Sequence, residues 1–491
     1  MTQGLELCDA NLQAAVSDGS QPTLLRVATE DGASSWPGYA LRDGNAFVCG
    51  QAAEDVWLIR PRNVIHSFWS KLSLEPTALT GESRPLSYSE IAYTFLRRFS
   101  ERLRISSPSS TRMALAVPGA YLRDPAVAEE KVGLLLGMAA DLKLPLCGIV
   151  DLATASLCDP RAPRFNPARP VIHLDLHLHA AELSLLVSGE RLERRAFLHL
   201  PGSGLIALLK HLTGTMANRF LRQTSFDVMA DGRTEQLFYN QTKSLFYGNE
   251  ADFVYQINTA RRGYELPVKR DSLGADAQAF TEALLKSILA FPEENHLRPG
   301  LCAVALAERA GRVPLLEARL RTAGFVRFLH LPAGAAAAGA AQLAGALFAT
   351  PTDLADVPVV TSVPSEFAAR RVSAPWDVHV QKARANALPQ PPPTHLVLEG
   401  LGLSLAGRDR VTIGTQGQGA TLPLPESFNP AANCCIALER TAGHWQLEDP
   451  APAEASGDRR ARIDLETGDR LVFRTGSHTV DVLLAHCPTA N

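Results

Sequence analysis

The 491-residue sequence lacks the features that mark membrane, secreted and nucleic-acid-binding proteins. No apolar run reaches the roughly 20 residues that a membrane-spanning helix requires. The first residues, MTQGLELCDANL, have neither the basic segment nor the apolar segment of a secretion signal. The formal net charge is −3, so bulk charge does not favour binding to nucleic acid or to a membrane surface. We therefore expect a cytoplasmic protein that binds neither.

Disulfide, zinc-ribbon and common catalytic patterns are missing as well. The eight cysteines form no C-x-x-C pair, which argues against a zinc ribbon or a disulfide framework and suits a reducing cytoplasm. The sequence has no G-x-x-x-x-G-K-[ST] loop, no G-x-S-x-G elbow and no H-E-x-x-H helix. None of the enzyme classes that carry these motifs is indicated.

Strand-like and helix-like segments alternate through the first 350 residues, which is typical of an α/β fold. Apolar residues make up 46% of the chain and charged residues 20%, as in a globular protein, and the length predicts two to four domains. Strands are predicted at residues 113–117, 146–150 and 301–306 and from residue 171 onward. Helices are predicted at residues 88–103, 129–142, 203–222, 232–246, 276–289, 314–323 and 335–348.

The pattern changes after residue 350. Residues 351–394 contain several prolines, including Pro391 to Pro393, and are interpreted as a proline-rich linker. Residues 395–491 contain only short strand-like segments separated by Gly, Asp and Pro turns, which predicts a small all-β sandwich. No tandem repeat is visible in the sequence.

Residues 171–185, VIHLDLHLHAAELSL, begin with an apolar strand that ends at Asp175 and Leu176. The segment resembles a phosphate-binding hairpin of the DnaK-like heat-shock chaperones, whose actin-like ATPase domain has Asp-Leu-Gly-Gly-Gly-Thr-Phe-Asp here. His-Leu-His-Ala, at residues 177–180, replaces the glycines and the threonine. Glycines are needed because backbone N–H groups must approach phosphate oxygens with no Cβ in the way. The resemblance therefore implies a relative that no longer turns over ATP.

Residues 4–11 resemble the first phosphate-binding hairpin of the same family. Glu6 stands in place of the magnesium-side Asp, and Cys8 and Asp9 stand in place of the phosphate-contacting Gly and Thr. The carboxylate of Asp9 would repel a phosphate. The resemblance therefore implies that this hairpin, too, has lost its ligand chemistry.

Other blocks follow in the order that the family has. Lys71 is the candidate nearest to the catalytic lysine, and residues 149–155 resemble the turn of the catalytic Glu, with Leu152 in its place and Asp151 beside it. Gly202 begins a segment similar to Gly-Gly-x-Asp. In the block that resembles the adenosine site, Glu308 and Arg309 replace two glycines, and their side chains would intrude on the base or ribose. Residues 331–347 resemble the last helix of that site. The resemblance implies a two-lobed actin-like, DnaK-like ATPase fold over residues 1–350.

Residues 395–491 resemble a forkhead-associated domain. Residues 410–414 stand where such domains have Ile-Gly-Arg, but Thr415 replaces the Arg, and Asn429-Pro430 replaces the Ser-Arg segment. Without that Arg the sequence has no evident bidentate clamp for a phosphate. The resemblance implies a degenerate module that has lost phosphothreonine recognition.

Histidines and carboxylates leave two other hypotheses open. His173, Asp175, His177 and His179 alternate, so on a strand they would share one face and could chelate zinc or iron. Alternatively, His177 and His179 fill space left by a nucleotide. A second hypothesis is residual binding of ATP with magnesium through carboxylates at or beside the family's acidic positions, which are Glu6, Asp151, Asp175 and Glu182. Inherited acidity in a solvated cleft is the alternative for that set.

The combined pattern predicts a non-catalytic scaffold or adaptor. Both modules keep their frames but lose the residues that contact their ligands, so we expect protein partners, including an active DnaK-like paralogue, and no cofactor. Three alternatives stay open: a working or weakly nucleotide-binding chaperone ATPase, a metal-binding protein or metal-dependent enzyme, and a sandwich that binds a non-phosphorylated peptide.

Overall fold

The chain forms two compact units, Met1–Arg371 and Val372–Asn491. The computed structural model describes residues 2–19, 21–25, 35–44, 46–80, 84–103, 111–163, 165, 169–260, 262–349, 351, 353–368, 377–381, 391–398, 401–414, 421–424, 435–441, 444–448, 462–475 and 478–487. Across these ranges, no helix combines the length and the apolar character needed to cross a bilayer.

The first unit is a mixed α/β structure, as the alternating pattern predicted. Its strands are β1 (Thr2–Glu6), β2 (Gln13–Ser17), β3 (Thr23–Leu24), β4 (Ala40–Asp43), β5 (Ala46–Cys49), β6 (Val64–Ile65), β7 (Pro76–Thr80), β8 (Pro85–Ser87), β9 (Arg112–Val117), β10 (Leu146–Asp151), β11 (Val171–Leu176), β12 (Ala180–Ser188), β13 (Arg191–Pro201), β14 (Asp252–Asn258), β15 (Gly263–Lys269), β16 (Ala303–Leu306), β17 (Arg327–His330), β18 (Val359–Val360) and β19 (Ser362–Pro364). Its helices are α1 (Gln51–Glu54), α2 (Tyr88–Leu103), α3 (Pro125–Asp141), α4 (Leu152–Leu157), α5 (Leu205–Thr224), α6 (Gly232–Tyr247), α7 (Leu273–Asp276), α8 (Gln278–Glu294), α9 (Glu308–Gly311), α10 (Leu316–Thr322) and α11 (Ala335–Ala346).

Local sequence signals explain several of these boundaries. The carboxylate of Asp124 accepts the N–H of Val127, and Pro125 occupies the first helical position, so α3 begins with a capped turn. Strand β11 is buried along its whole length, including the polar side chains of His173 and Asp175. The predicted helix at residues 88–103 is confirmed, because α2 has those bounds.

Two six-stranded sheets share one topology over five of their strands, and the sixth strand, β18 or β19, lies at opposite ends of the shared pattern. In the first, the order is β18-β10-β9-β1-β2-β3, and in the second it is β17-β16-β11-β12-β13-β19. Each sheet contains an antiparallel meander, β1-β2-β3 or β11-β12-β13, whose first strand also pairs in parallel with a later strand, β9 or β16. A further parallel strand, β10 or β17, follows. The unit thus contains a structural duplication that the sequence does not display as a repeat.

The helices that follow the fifth strand of each repeat, α4 and α11, pack against each other. Helix α11 also lies against β1, β2 and β9. Its alanines and glycines allow close approach, since a Cβ added at Gly339 would overlap the carbonyl oxygen of Ala155 in α4. A Cβ on Gly4 of β1 would likewise overlap Ala337. This small-residue contact brings the two repeats together beside their hairpins.

The segment predicted as a linker, residues 351–394, is partly built into the sheets. Strand β18 pairs in parallel with β10, and β19 pairs antiparallel with β13. The prediction of a linker is therefore wrong for these strands and for Asp377–Gln381, which forms a strand of the second unit, and the first unit extends past residue 350. Two- and three-residue strands show no periodicity in sequence, which is why pattern analysis did not find them.

The second unit contains two five-stranded sheets. Its strands are β20 (Asp377–Gln381), β21 (His395–Leu398), β22 (Leu401–Ser404), β23 (Arg410–Gly414), β24 (Leu422–Pro423), β25 (Cys435–Thr441), β26 (His444–Glu448), β27 (Arg462–Leu465), β28 (Arg470–Thr475) and β29 (His478–Ala485). The sheet orders are β20-β28-β29-β21-β22 and β24-β23-β25-β26-β27. Side chains of both sheets, among them Leu396, Val411, Trp445 and Phe473, share one apolar core. The described residues thus form a β-sandwich, as predicted.

Candidate functional site

The turns of two equivalent hairpins meet in the first unit. The β1–β2 turn contains Cys8 and Asp9, and the β11–β12 turn contains His177 and Leu178. An Asp9 carboxylate oxygen, Oδ1, accepts the backbone N–H of Leu178 at 2.7 Å. The sulfur of Cys8 lies 3.4 Å from Nδ1 of His177. The two hairpins are therefore joined directly by their own side chains.

A buried polar cluster surrounds this contact. It consists of Glu6, Cys8, Asp9, Asp175, His177, Glu182 and Arg309, all of which are buried. All seven were predicted as candidate site residues, and the structure brings them together from strands, turns and a helix far apart in the chain. Because buried charges must be paired, their mutual contacts decide whether the cluster is stable.

Arg309 binds two carboxylates within the cluster. Its Nη2 lies 2.7 Å from Asp175 Oδ2 and 3.0 Å from Glu6 Oε1, and its Nε donates to the carbonyl of Leu176 at 3.0 Å. Burial raises the pKa of Asp175, but Arg309 and His177 outweigh it and hold that pKa at about 2. For Glu6 burial prevails over Arg309, and its pKa lies above the usual value.

His177 lies between the hairpin contact and two other carboxylates. Its Nε2 is 3.4 Å from Glu182 Oε2 and 3.9 Å from Asp175 Oδ2. Burial lowers the pKa of His177, but Cys8, Glu182 and Asp175 raise it more, so its pKa is well above the ordinary value. Acidic groups therefore lie near both ring nitrogens: Cys8 and Asp9 near Nδ1, and Glu182 and Asp175 near Nε2.

Backbone donors fix Glu182 in place. Its two carboxylate oxygens accept the N–H groups of Gly119 at 2.9 Å and of Ala120 at 3.3 Å. His199 Nδ1 lies 3.3 Å from Oε1. Burial raises the pKa of Glu182, but His177 and His199 outweigh it, so the net pKa is lowered.

Asp151 forms a separate ion pair near the cluster. Its Oδ2 lies 2.5 Å from Arg194 Nη1, while its Oδ1 caps α4 by accepting the N–H of Thr154. Burial nevertheless raises the pKa of Asp151 above its usual value, despite Arg194. Both carboxylate oxygens of Asp151 therefore have hydrogen-bond donors within the protein.

The N-terminus of α5 faces the β11–β12 turn. The N–H groups of Leu205 and Ile206 donate to the carbonyls of His177 and Leu178 at 2.9 and 3.0 Å. Gly202 precedes the helix with a φ of +77°, a left-handed conformation that favours glycine, and its N–H donates to the carbonyl of His179. Backbone N–H groups at a helix N-terminus often bind anions, but here they donate to the carbonyl groups of the turn.

His179 does not join the cluster. Strand β11 ends at Leu176, and the ring of His179 stacks on that of His66 with a centroid distance of 5.0 Å. The prediction that His173, Asp175, His177 and His179 share one face is therefore wrong for His179, because the chain turns before it. His173 remains buried, and burial lowers its pKa to about 4.

Two other predicted residues lie outside the cluster. Lys71 is exposed, and its ammonium lies over the ring of Tyr88. Glu308 pairs with Arg312, with Nε and Oε1 at 2.7 Å. Of the two residues expected to intrude on a base or ribose, Arg309 joins the cluster, and Glu308 lines the cavity beside it together with Arg309.

A cavity of about 20 Å³ adjoins the cluster. It is lined by Glu6, Gln13, Leu152, Ser156, Asp175, Ala307, Glu308, Arg309, Leu331, Pro332, Gly334, Ala335 and Ala336. That volume holds about one water molecule. Of the carboxylates beside it, those of Glu6 and Asp175 bind Arg309, and that of Glu308 binds Arg312.

Cys8, Asp9 and His177 carry the donor types of a metal site. Each offers one ligand atom, and these atoms all lie within 4.8 Å of one another. The sulfur of Cys8 is fully buried, so the Cys–His pair is not presented to a substrate at the surface.

Sequence analysis missed three partners of the predicted residues, namely His66, Arg194 and His199. None belongs to a motif, and each is identified only through a contact with a residue distant in the chain. In the second unit, Thr415, Asn429 and Pro430 lie outside the described residues.

Known families give no further guide to the site. No protein-family model matches the sequence, and no curated protein matches it either.

Proposed function

We propose that the chain is a non-catalytic scaffold with a two-lobed, actin-like DnaK-type fold that has lost ATP hydrolysis and works through protein–protein contacts. The observation that carries the proposal is the bond between Asp9 and Leu178, because it joins the two turns that the resemblance assigns to phosphate binding. The repeated strand order supports the two-lobed fold.

Electrostatics supports the same conclusion. Asp9 places a carboxylate where the resemblance expects a phosphate contact, and two like charges repel. The N-terminal donors of α5 bind the carbonyls of the turn, so a phosphate would have to displace them. Arg309 is held by Glu6 and Asp175 and does not extend toward solvent, since it is buried.

The space beside the cluster argues against a nucleotide as well. Pockets for small molecules commonly measure about 300–1,000 Å³. The cavity at Glu6, Asp175 and Arg309 has about 20 Å³. A nucleotide would therefore require the two hairpins to separate and the ion pairs of Arg309 to break.

The β-sandwich supplies a second surface for partners. By resemblance it is a forkhead-associated-like module without its phosphate-reading Arg, which favours a protein ligand that carries no phosphate. An active DnaK-like paralogue is one such partner of the whole chain. This part of the proposal rests on the resemblance of both modules to known domains in everything except the residues that contact a ligand.

Calorimetry of the full-length protein with ATP and with ADP, each with magnesium, tests the proposal. We expect no binding heat, and no change in melting temperature on addition of either nucleotide. An Asp9→Asn variant, which removes the repelling charge, and the wild-type protein are titrated side by side. Micromolar binding of either nucleotide to the wild-type protein would overturn the proposal.

A further inference from the structure

We propose that Cys8, Asp9 and His177 form a site for a divalent cation of the zinc type, held between the two hairpins. The three side chains offer one sulfur, one carboxylate oxygen and one imidazole nitrogen, all of which zinc accepts as ligands. They come from two chain segments that only the fold brings together. The site differs from the strand face suggested by the alternating histidines, because Cys8 and Asp9 join His177 in place of His173, Asp175 and His179.

The geometry suits a cation. Cys8 Sγ lies 3.4 Å from His177 Nδ1 and 4.0 Å from Asp9 Oδ1, and the last two atoms are 3.8 Å apart. The point equidistant from these three atoms is therefore roughly 2.2 Å from each, and zinc bonds to such donors measure about 2.0–2.3 Å. A cation at that point requires side-chain shifts of only a few tenths of an ångström.

The surroundings of the site favour positive charge. The carboxylates of Glu6, Asp175 and Glu182 are buried nearby, and Arg309 is the guanidinium that contacts the first two. A cation would replace the proton that the thiol of Cys8 and the imidazole of His177 hold between them. The sulfur then binds as a thiolate, the imidazole binds in its neutral form, and the proton is released to solvent.

Glu182 stands where a metal-binding histidine usually has its supporting carboxylate. When Nδ1 of His177 binds a cation, the ring proton remains on Nε2, which is 3.4 Å from Glu182 Oε2. Nε2 is buried and forms no hydrogen bond among the described residues, so it is available for this role. The N–H of Gly119 holds Glu182 at 2.9 Å. Glu182 is thus a positioning residue.

This inference does not depend on the loss of ATP hydrolysis. A cation joins the two hairpins in addition to the Asp9–Leu178 bond, and a protein that failed to bind it could still be a scaffold. Likewise, a cation could bind in a chain that retained affinity for nucleotide.

Cobalt substitution tests the site in the full-length protein. The protein is incubated with Co²⁺, freed of excess ion, and examined by absorption spectroscopy and elemental analysis. We expect stoichiometric cobalt together with a near-ultraviolet thiolate-to-cobalt band. Cys8→Ala removes the near-ultraviolet band, whereas Cys147→Ala, which truncates another buried cysteine, retains it. Glu182→Gln weakens binding by about 10–100-fold.

Two results would overturn the inference: absence of bound cobalt in folded wild-type protein, or a thiolate band that survives in Cys8→Ala. If Cys8→Ala does not fold, Asp9→Asn replaces it, because an amide oxygen can still accept the N–H of Leu178. We expect that variant to bind cobalt at least about 10-fold more weakly, since a neutral amide is a poorer ligand than a carboxylate. An unchanged affinity would then also count against the site.

Discussion

Asp9 and Leu178 are 169 positions apart in the sequence, yet the carboxylate of the first accepts the backbone N–H of the second at 2.7 Å. Both partners are buried, so neither group could regain a hydrogen bond from water if the other were lost. This bond links the two hairpin turns directly.

Replacing Asp9 by Ala should therefore destabilise the fold. The Leu178 N–H would be left buried without an acceptor, at a cost of about 1–3 kcal/mol in the free energy of unfolding. Asp9→Asn keeps an acceptor oxygen and should cost less. Urea denaturation of the two variants and the wild type measures the difference. Equal stability of all three proteins would show that the bond does not contribute.

Arg309 should be the most sensitive charged residue of the cluster. Arg309→Ala leaves Glu6 and Asp175 buried without their cation, and breaking a buried pair costs about 3–5 kcal/mol. Arg312→Ala is the matched control, because Arg312 is only half-buried and pairs with the single carboxylate of Glu308. We expect about 1 kcal/mol or less for the control. Similar losses in the two variants, measured by urea denaturation, would contradict the assignment.

Because the repeats pack closely, one added methyl group at their contact should lower the stability of the protein strongly. Gly339→Ala forces a Cβ onto the carbonyl of Ala155, and Gly4→Ala does the same at Ala337, so each should destabilise the protein by about 1–3 kcal/mol. Gly133→Ala in α3 meets open space and should stabilise it by about 0.5–1 kcal/mol. Thermal denaturation distinguishes the variants, and tolerance of Ala at both buried positions would disprove the close packing.

Acid should weaken the fold through His66. Burial, with His179 and Lys210, lowers its pKa from 6.5 to about 3. The unfolded chain therefore takes up a proton below pH 6.5 that the folded chain refuses until about pH 3, and stability falls within that window by up to about 1.4 kcal/mol per pH unit.

His66→Gln removes this contribution, because glutamine does not titrate. The stability of the variant should decline less than that of the wild type between pH 6.5 and pH 5, as measured by urea denaturation at each pH. His173, whose pKa is also lowered, acts equally in both proteins and cancels from the comparison. Parallel pH profiles would mean that folding does not lower the pKa of His66.

Sequence patterns predicted the elements of this molecule better than their connections. Helix α2 follows its apolar periodicity and has the predicted bounds. In the second unit, β21 to β23 and β25 to β29 lie where strands were predicted, whereas β20 and β24 were not predicted. The duplication of the sheets was not predicted, because the pairing of strands can repeat in two segments whose side chains show no similarity. Strand β18 was not predicted, because its two residues are too few to show a periodic pattern of apolar side chains.

The candidate site shows the same division. Resemblance identified Glu6, Asp175 and Arg309 as members of one site, and the structure brings them within hydrogen-bond distance. It did not identify the pairing of Cys8 with His177 or of His179 with His66. Such pairs depend on how two turns meet in space, which residue spacing along one chain does not encode.

The position of β18 has a consequence for synthesis. It completes a sheet that begins with β1, and at about 5–20 residues per second residue 360 leaves the ribosome on the order of 20–70 s after residue 2. During that interval the edge of β10 is unpaired and can pair with other chains, and α11 does not yet cover the face of β1. We therefore expect the nascent chain to be the form most in need of protection against aggregation.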